Sequence, residues 1–120
     1  MAADPFAERL ARVRERFVSA LESKIEDTYA AIPDLSGETP AVVEAVEETY
    51  RRMHGLVGIG PTVGFVGTCR AARSVENILL VPHQAERGLT IEEIESFKKA
   101  LHALREIAAR ELQSFYSGWR

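Results

Sequence analysis

Apolar residues in this chain recur every three or four positions, in four stretches separated by turn-forming residues. In the first stretch, Phe6, Leu10, Val13, Phe17, Leu21, Ile25, Tyr29 and Ile32 mark one face of a long helix. Asp4-Pro5 supplies an N-cap followed by proline at the first helical position. Pro33 closes the helix, because the residue before a proline is pushed out of the α region. The linker PDLSGE then reads as a short turn. Thr39-Pro40 opens the second stretch, whose stripe is Val43, Val46, Tyr50, Met53 and Val57, widened by Val42 and Leu56. Pro61 ends this helix near Gly60, or kinks it and leaves Gly64 as the cap. The third stripe is Phe65, Val66, Cys69, Ala72, Val75, Ile78 and Leu79; Pro82 distorts or ends it, and Arg87-Gly88 closes it at the latest. Thr90-Ile91-Glu92-Glu93 has the form of a capping box. It leads into Ile94, Phe97, Leu101, Leu104, Ile107 or Ala108, and Leu112.

These patterns predict helices over 5–31, 40–60, 64–86 and 90–115, with no strand-like alternation, repeat or low-complexity run. Four amphipathic helices on short connections bury their stripes most simply as an all-α, antiparallel up-down four-helix bundle. A length of 120 residues fits one domain, 1–120. The 15 basic and 18 acidic residues are mixed along the chain, giving a net charge of −3 and no basic stripe, which argues against nucleic acid as a partner. The longest apolar runs, such as ILLV at 78–81, fall far short of the ~20 residues that cross a bilayer. The N-terminal segment carries acids and no apolar core, so it does not read as a signal peptide. One cysteine precludes an internal disulfide, and Cys69, within GFVGTCRAA, is expected to be a small buried thiol. A cytoplasmic monomer that keeps off membranes is the expectation.

Candidate chemistry narrows to the histidines. There is no HExxH, no paired cysteine, no His-x₃-His and no Glu-x-x-His, so no metal site is expected. GLVGIGP does not follow a strand, as a phosphate-cradling loop would, and self-contained catalysis finds little support. His83, next to Pro82, reads as a solvated loop residue, and His102 as an exposed helix pair with Glu106. His54 is different. It lies in RRMHGLVGIGPTVG, with glycine at positions 55, 58, 60 and 64. Each glycine costs a helix about 1 kcal/mol relative to alanine, so four of them beside one imidazole call for a reason. Room for an approaching macromolecule is one. His54 falls about 70° from the centre of the second stripe, on its flank beside Glu47, Arg51 and Gly58. That angle predicts an imidazole at least about a quarter exposed, with Val46, Met53 and Leu56 buried.

The run from His54 to Gly64 resembles the histidine phosphotransfer (Hpt) signature, H-x-L-K-G-x-S-x-x-x-G. His54, Leu56, Gly58 and Gly64 match it; Val57 stands where the family has lysine and Gly60 where it has serine. Gly64-Phe65, Ala72, Val75, Glu76-Asn77 and Leu79 are similar to the helix after the phosphorylated histidine in the phosphotransfer domains of chemotaxis-type kinases. The resemblance spans residues 5–115, and only the box at 54–64 is diagnostic. It implies a four-helix bundle that carries phosphate on the ring nitrogen of His54 remote from the backbone. The phosphate would be exchanged with the aspartate of a response-regulator receiver domain, with a histidine kinase as a further partner. The chain would have no cofactor of its own, the receiver bringing the magnesium ion (Mg2+) and a catalytic lysine. It would be a stoichiometric carrier more than an enzyme. Arg51, Gly55, Val57, Gly58 and Arg70 are then the expected partner-binding residues. Arg51 would stand in for the missing lysine, with Arg70 or Arg73 also in reach, and Gly60 would add room. The chain would be a free-standing carrier or the excised first domain of such a kinase. The alternative is a degenerate Hpt-like bundle that binds a receiver or kinase without carrying phosphate, and beyond it a plain structural bundle.

Overall fold

The computed structural model describes residues 4–117; residues 1–3 and 118–120 of the expected 1–120 domain lie outside the described residues. Four helices, α1 (Pro5–Ala31), α2 (Pro40–Ile59), α3 (Val66–Gln84) and α4 (Ile91–Ser117), follow one another with a 3₁₀ turn at Ile32–Asp34. There is no strand among the described residues, and the helices form the antiparallel four-helix bundle expected from the stripes. No helix among them is long and apolar enough to cross a membrane.

The helix starts follow local chemistry. The Asp4 side chain accepts the backbone N–H of Phe6 at 3.0 Å, closing the first turn of α1. Thr39 holds an extended N-cap geometry before Pro40 but makes no side-chain cap bond. At α4 the capping box forms reciprocally: Thr90 N–H donates to Glu93 Oε1 at 2.8 Å, and Glu93 N–H donates to Thr90 Oγ1 at 3.1 Å. α3 has no cap of its own. Glu111 of α4 supplies one, accepting from the N–H groups of Gly67 (3.1 Å) and Thr68 (2.5 Å) and from the Thr68 hydroxyl (2.6 Å).

Between α2 and α3, Pro61 ends the helix and does not merely kink it. The chain turns through residues 60–64, Gly64 takes φ +89°, and Phe65 N–H donates to Gly60 O at 2.8 Å. This turn delays α3 to Val66, two residues later than the pattern predicts. At the other end of α3, Pro82 is inside the helix and buried. Pro82 lacks the N–H that would bond the Ile78 carbonyl and crowds that carbonyl with its ring, yet the helix runs on for two residues to Gln84 before it stops. It closes with Glu86 at φ 51°, Glu86 N–H on His83 O (3.2 Å) and Arg87 N–H on Pro82 O (3.1 Å). This is the paired-bond stop that usually takes glycine at the left-handed position.

The glycine two residues later is needed for something else. A Cβ on Gly88 would lie 2.7 Å from Gly37 O and 2.8 Å from Val42 Cγ1, because the α3–α4 loop is pressed onto the loop before α2. Leu89 N–H donates to Leu35 O at 2.8 Å across this contact, and both leucines are buried (Leu89 5%, Leu35 0% exposed). Gly88→Ala is expected to destabilise the fold by about 1–3 kcal/mol, because backbone atoms must move apart to admit the methyl group. A lowered midpoint in urea, with an unchanged slope, is the observation that checks it.

The same loop carries an ion pair. Arg87 Nη1 and Nη2 donate to Glu93 Oε1 (2.8 Å) and Oε2 (3.1 Å). The Arg87 hydrogen bonds, reinforced by the Thr90 N–H, hold the Glu93 carboxyl well below its ordinary value, at about 2. A carboxyl whose pKa is depressed by folding favours the folded state above its unfolded value and loses that contribution as pH falls toward the folded value. The Tm difference between wild type and Glu93→Gln is therefore expected to be full near neutral pH and to shrink as pH drops below about 4.5 toward 2. A difference that stays constant over that range would show that the pair contributes nothing through its charge.

Candidate functional site

α2 and α3 pack side by side, and the outer edge of that contact carries His54. Its side chain is 69% exposed, while Val46 (1%), Met53 (0%) and Leu56 (1%) on the same helix are buried. Nδ1 lies 2.5 Å from Oε2 of Glu76 on α3. The Glu76 side chain is only 12% exposed. A carboxylate has no hydrogen to give, so in the neutral ring Nδ1 is the donor and Nε2 keeps the lone pair.

A second contact orients the ring. Tyr50, one turn before His54, stacks against the imidazole with centroids 6.0 Å apart and planes 12° apart. Its ring also stacks on His83 of α3, at 4.5 Å and 15°. His83 is thus not a solvated loop residue. It is a half-buried helical residue wedged against Tyr50, and its placement follows from α3 continuing past Pro82. His102 is exposed and pairs with Glu106 at 3.2 Å, away from this cluster. Among the described residues no group of three or more His, Cys, Asp or Glu is placed to hold a metal ion.

The glycines divide into two kinds. A Cβ on Gly55 or Gly58 would meet nothing within 4 Å, so the fold gives no steric reason for glycine there. Each costs helix stability of about 1 kcal/mol and leaves open surface next to His54. Gly60 is the other kind. It is buried, and a Cβ would fall 2.8 Å from Cys69 Cβ and 3.0 Å from Leu56 O. The expectation that Gly60 gives a partner room is therefore corrected: it lets the end of α2 close onto α3.

Val57 also needs correction. It is 8% exposed and belongs to the core, and its carbonyl accepts the Cys69 thiol at 3.2 Å, so it offers no surface to a partner. Cys69 is the buried thiol the sequence suggests (7% exposed). Arg51 is exposed and ion-paired with Glu47, one turn back along α2. Arg70 and Arg73 are exposed, and neither side chain is hydrogen-bonded or ion-paired among the described residues. None of the three is hydrogen-bonded to the imidazole, whose partner is Glu76.

The site is thus an exposed imidazole held by a buried carboxylate and a tyrosine, on a surface opened by two glycines, with unpaired cations on the neighbouring helix. No family model, curated protein or solved structure matches this chain.

Proposed function

We propose that this chain is a histidine phosphotransfer protein that carries a phosphoryl group on Nε2 of His54 and exchanges it with receiver-domain aspartates. The observation that carries the reading is the His54–Glu76 contact at 2.5 Å on an imidazole that is 69% exposed. A surface histidine kept only for solubility has no need of a buried carboxylate fixing its tautomer. A nucleophile does. Open glycines at 55 and 58, which the packing does not require, add the room a docking domain needs.

Nε2 attacks the phosphorus of an aspartyl phosphate, the N–P bond forms, the acyl P–O bond breaks, and aspartate leaves as carboxylate. The hydrogen on Nδ1 stays in place, so the ring gains positive charge. The Glu76 carboxylate beside it offsets that charge. Transfer back to aspartate is the same path reversed. Charge on the moving phosphoryl group requires cations. With Val57 in the core and Arg51 paired to Glu47, these fall to the receiver's magnesium ion and lysine, joined by Arg70 or Arg73 once a partner is seated.

Incubation with a receiver domain charged by acetyl phosphate is expected to place an acid-labile, base-stable label on this chain. Glu76→Ala is expected to slow that labelling by about ten- to a hundredfold while receiver binding persists, since it removes positioning and charge compensation only. Receiver binding without any label would support a bundle that docks without carrying phosphate. The absence of both would overturn the reading.

A further inference from the structure

The core-facing stripe of α1 is longer than the core it faces. Phe17 packs on Phe65 with ring centroids 5.1 Å apart, and Arg14 Nε donates to Val63 O at 3.1 Å. Residues 14–17 of α1 are therefore level with the α2–α3 turn, where those two helices reverse. Pro5 to Val13 lie beyond it, about 13 Å of helix; α4 reaches Ser117 with Phe115 and Tyr116 beside Glu15, Val18 and Ser19, and among the described residues no helix continues past that level. The molecule's 60 Å long axis against 24 × 19 Å in cross-section reflects this overhang. The stripe does not stop where the core stops. Phe6 is 68% exposed, Val13 is 37% exposed and Leu10 only half-buried, and they continue the line of Phe17 and Leu21.

The spacing 6, 10, 13, 17 is four, three, four, the alternation of a coiled-coil seam. Charge around the seam is sorted. On a helical projection Arg9 and Arg16 border it on one side and Arg14 on the other, each about 70–90° from its centre. Glu8 and Glu15 fall on the opposite face. Among the described residues none of Arg9, Arg12, Arg14 and Arg16 is in an ion pair. In a pair of helices, the positions bordering the seam meet their counterparts on the partner and set which partner is accepted. Two copies of this segment in antiparallel register would bring Arg9 and Arg16 against one another, so the arginines disfavour self-pairing.

We infer that the overhanging first turns of α1 are a docking seam for an amphipathic helix of another protein, one whose apolar stripe is bordered by carboxylates. The partner helix would complete the core beyond the α2–α3 turn and neutralise arginines that the bundle leaves unpaired. This surface is independent of His54 and of any phosphate.

The test uses the full chain and a synthetic peptide of three heptads, with leucine at the seam and glutamate at the bordering positions. A twin peptide carries lysine in place of glutamate. Amide shifts in NMR titration are expected at residues 5–17 with the glutamate peptide, stronger at low salt, and not with the lysine peptide. Phe6→Ala combined with Val13→Ala is expected to weaken the glutamate peptide about tenfold or more. Arg9→Glu with Arg16→Glu supplies a gain that misfolding cannot mimic: the variant should release the glutamate peptide and take up the lysine one. Three results would overturn the inference. They are equal shifts with both peptides, no shifts at residues 5–17, and binding at this segment by anionic lipid vesicles or by a second copy of the chain instead of the peptide.

Discussion

His54→Gln is expected to leave the fold intact and to reduce labelling from a charged receiver to background. The imidazole is 69% exposed, so its replacement opens no cavity. A glutamine amide at the same position can donate to Glu76, which keeps the buried carboxylate in a hydrogen bond and limits the stability change to less than about 1 kcal/mol. What disappears is the nitrogen lone pair. No other group replaces it: His83 is stacked on Tyr50, and His102 is paired with Glu106 on a different helix. If a receiver docks as proposed, over the surface around residues 54, 55 and 58, its affinity is expected to change little. A variant that still takes up label at the wild-type rate would remove His54 from the mechanism.

Val57→Lys is expected to weaken the fold instead of improving phosphotransfer. By the motif alone this substitution restores a cation one turn beyond His54. The structure gives the position a different meaning, since Val57 is 8% exposed and packs in the core against the start of α3. Lysine there must either push neighbours aside or strain its stem toward solvent, and burial of any part of the ammonium adds desolvation. A loss of about 2–4 kcal/mol is expected, read as a lower midpoint in chemical denaturation. An unchanged midpoint together with a longer-lived phosphorylated form would return Val57 to the surface role that the motif assigns it.

The case of Val57 also shows where sequence information is sufficient and where it misleads. Its helical angle, about 10° from the centre of the α2 stripe, places it in the core, whereas the motif correspondence places it at the partner surface. The angle prevails because burial follows from helix geometry, and a motif position carries its family role only with its family residue. The four helices were legible because each stripe spans several turns and opens at a capping or proline signal. The loops were not. Leu35 and Leu89 are single apolar residues in polar surroundings, with no periodicity to mark them as the plug that closes one end of the bundle. The α3 cap comes from Glu111, more than forty positions away in sequence, and no local pattern could announce it. Pro82 reads as a stop, yet α3 runs two residues past it, and this difference decides whether His83 faces water or Tyr50.

At the site, the exposure of His54 followed from its angle, and the significance of Gly55 and Gly58 from their cost. Glu76 could be noticed only as part of a resemblance, since its contact with His54 depends on the register between α2 and α3. Tyr50 reads as part of the apolar stripe, and its second role as a stacking partner appears only once both helices are in place.

The most direct test of the central claim is phosphorus–proton correlation NMR on the chain after incubation with a receiver domain, magnesium and acetyl phosphate. A single phosphorus coupled to both Hδ2 and Hε1 of His54 is expected, the pattern of phosphate on Nε2, with Nδ1 still held by Glu76. Coupling to Hε1 alone, a phosphorus on any other residue, or no protein-bound phosphorus would contradict it.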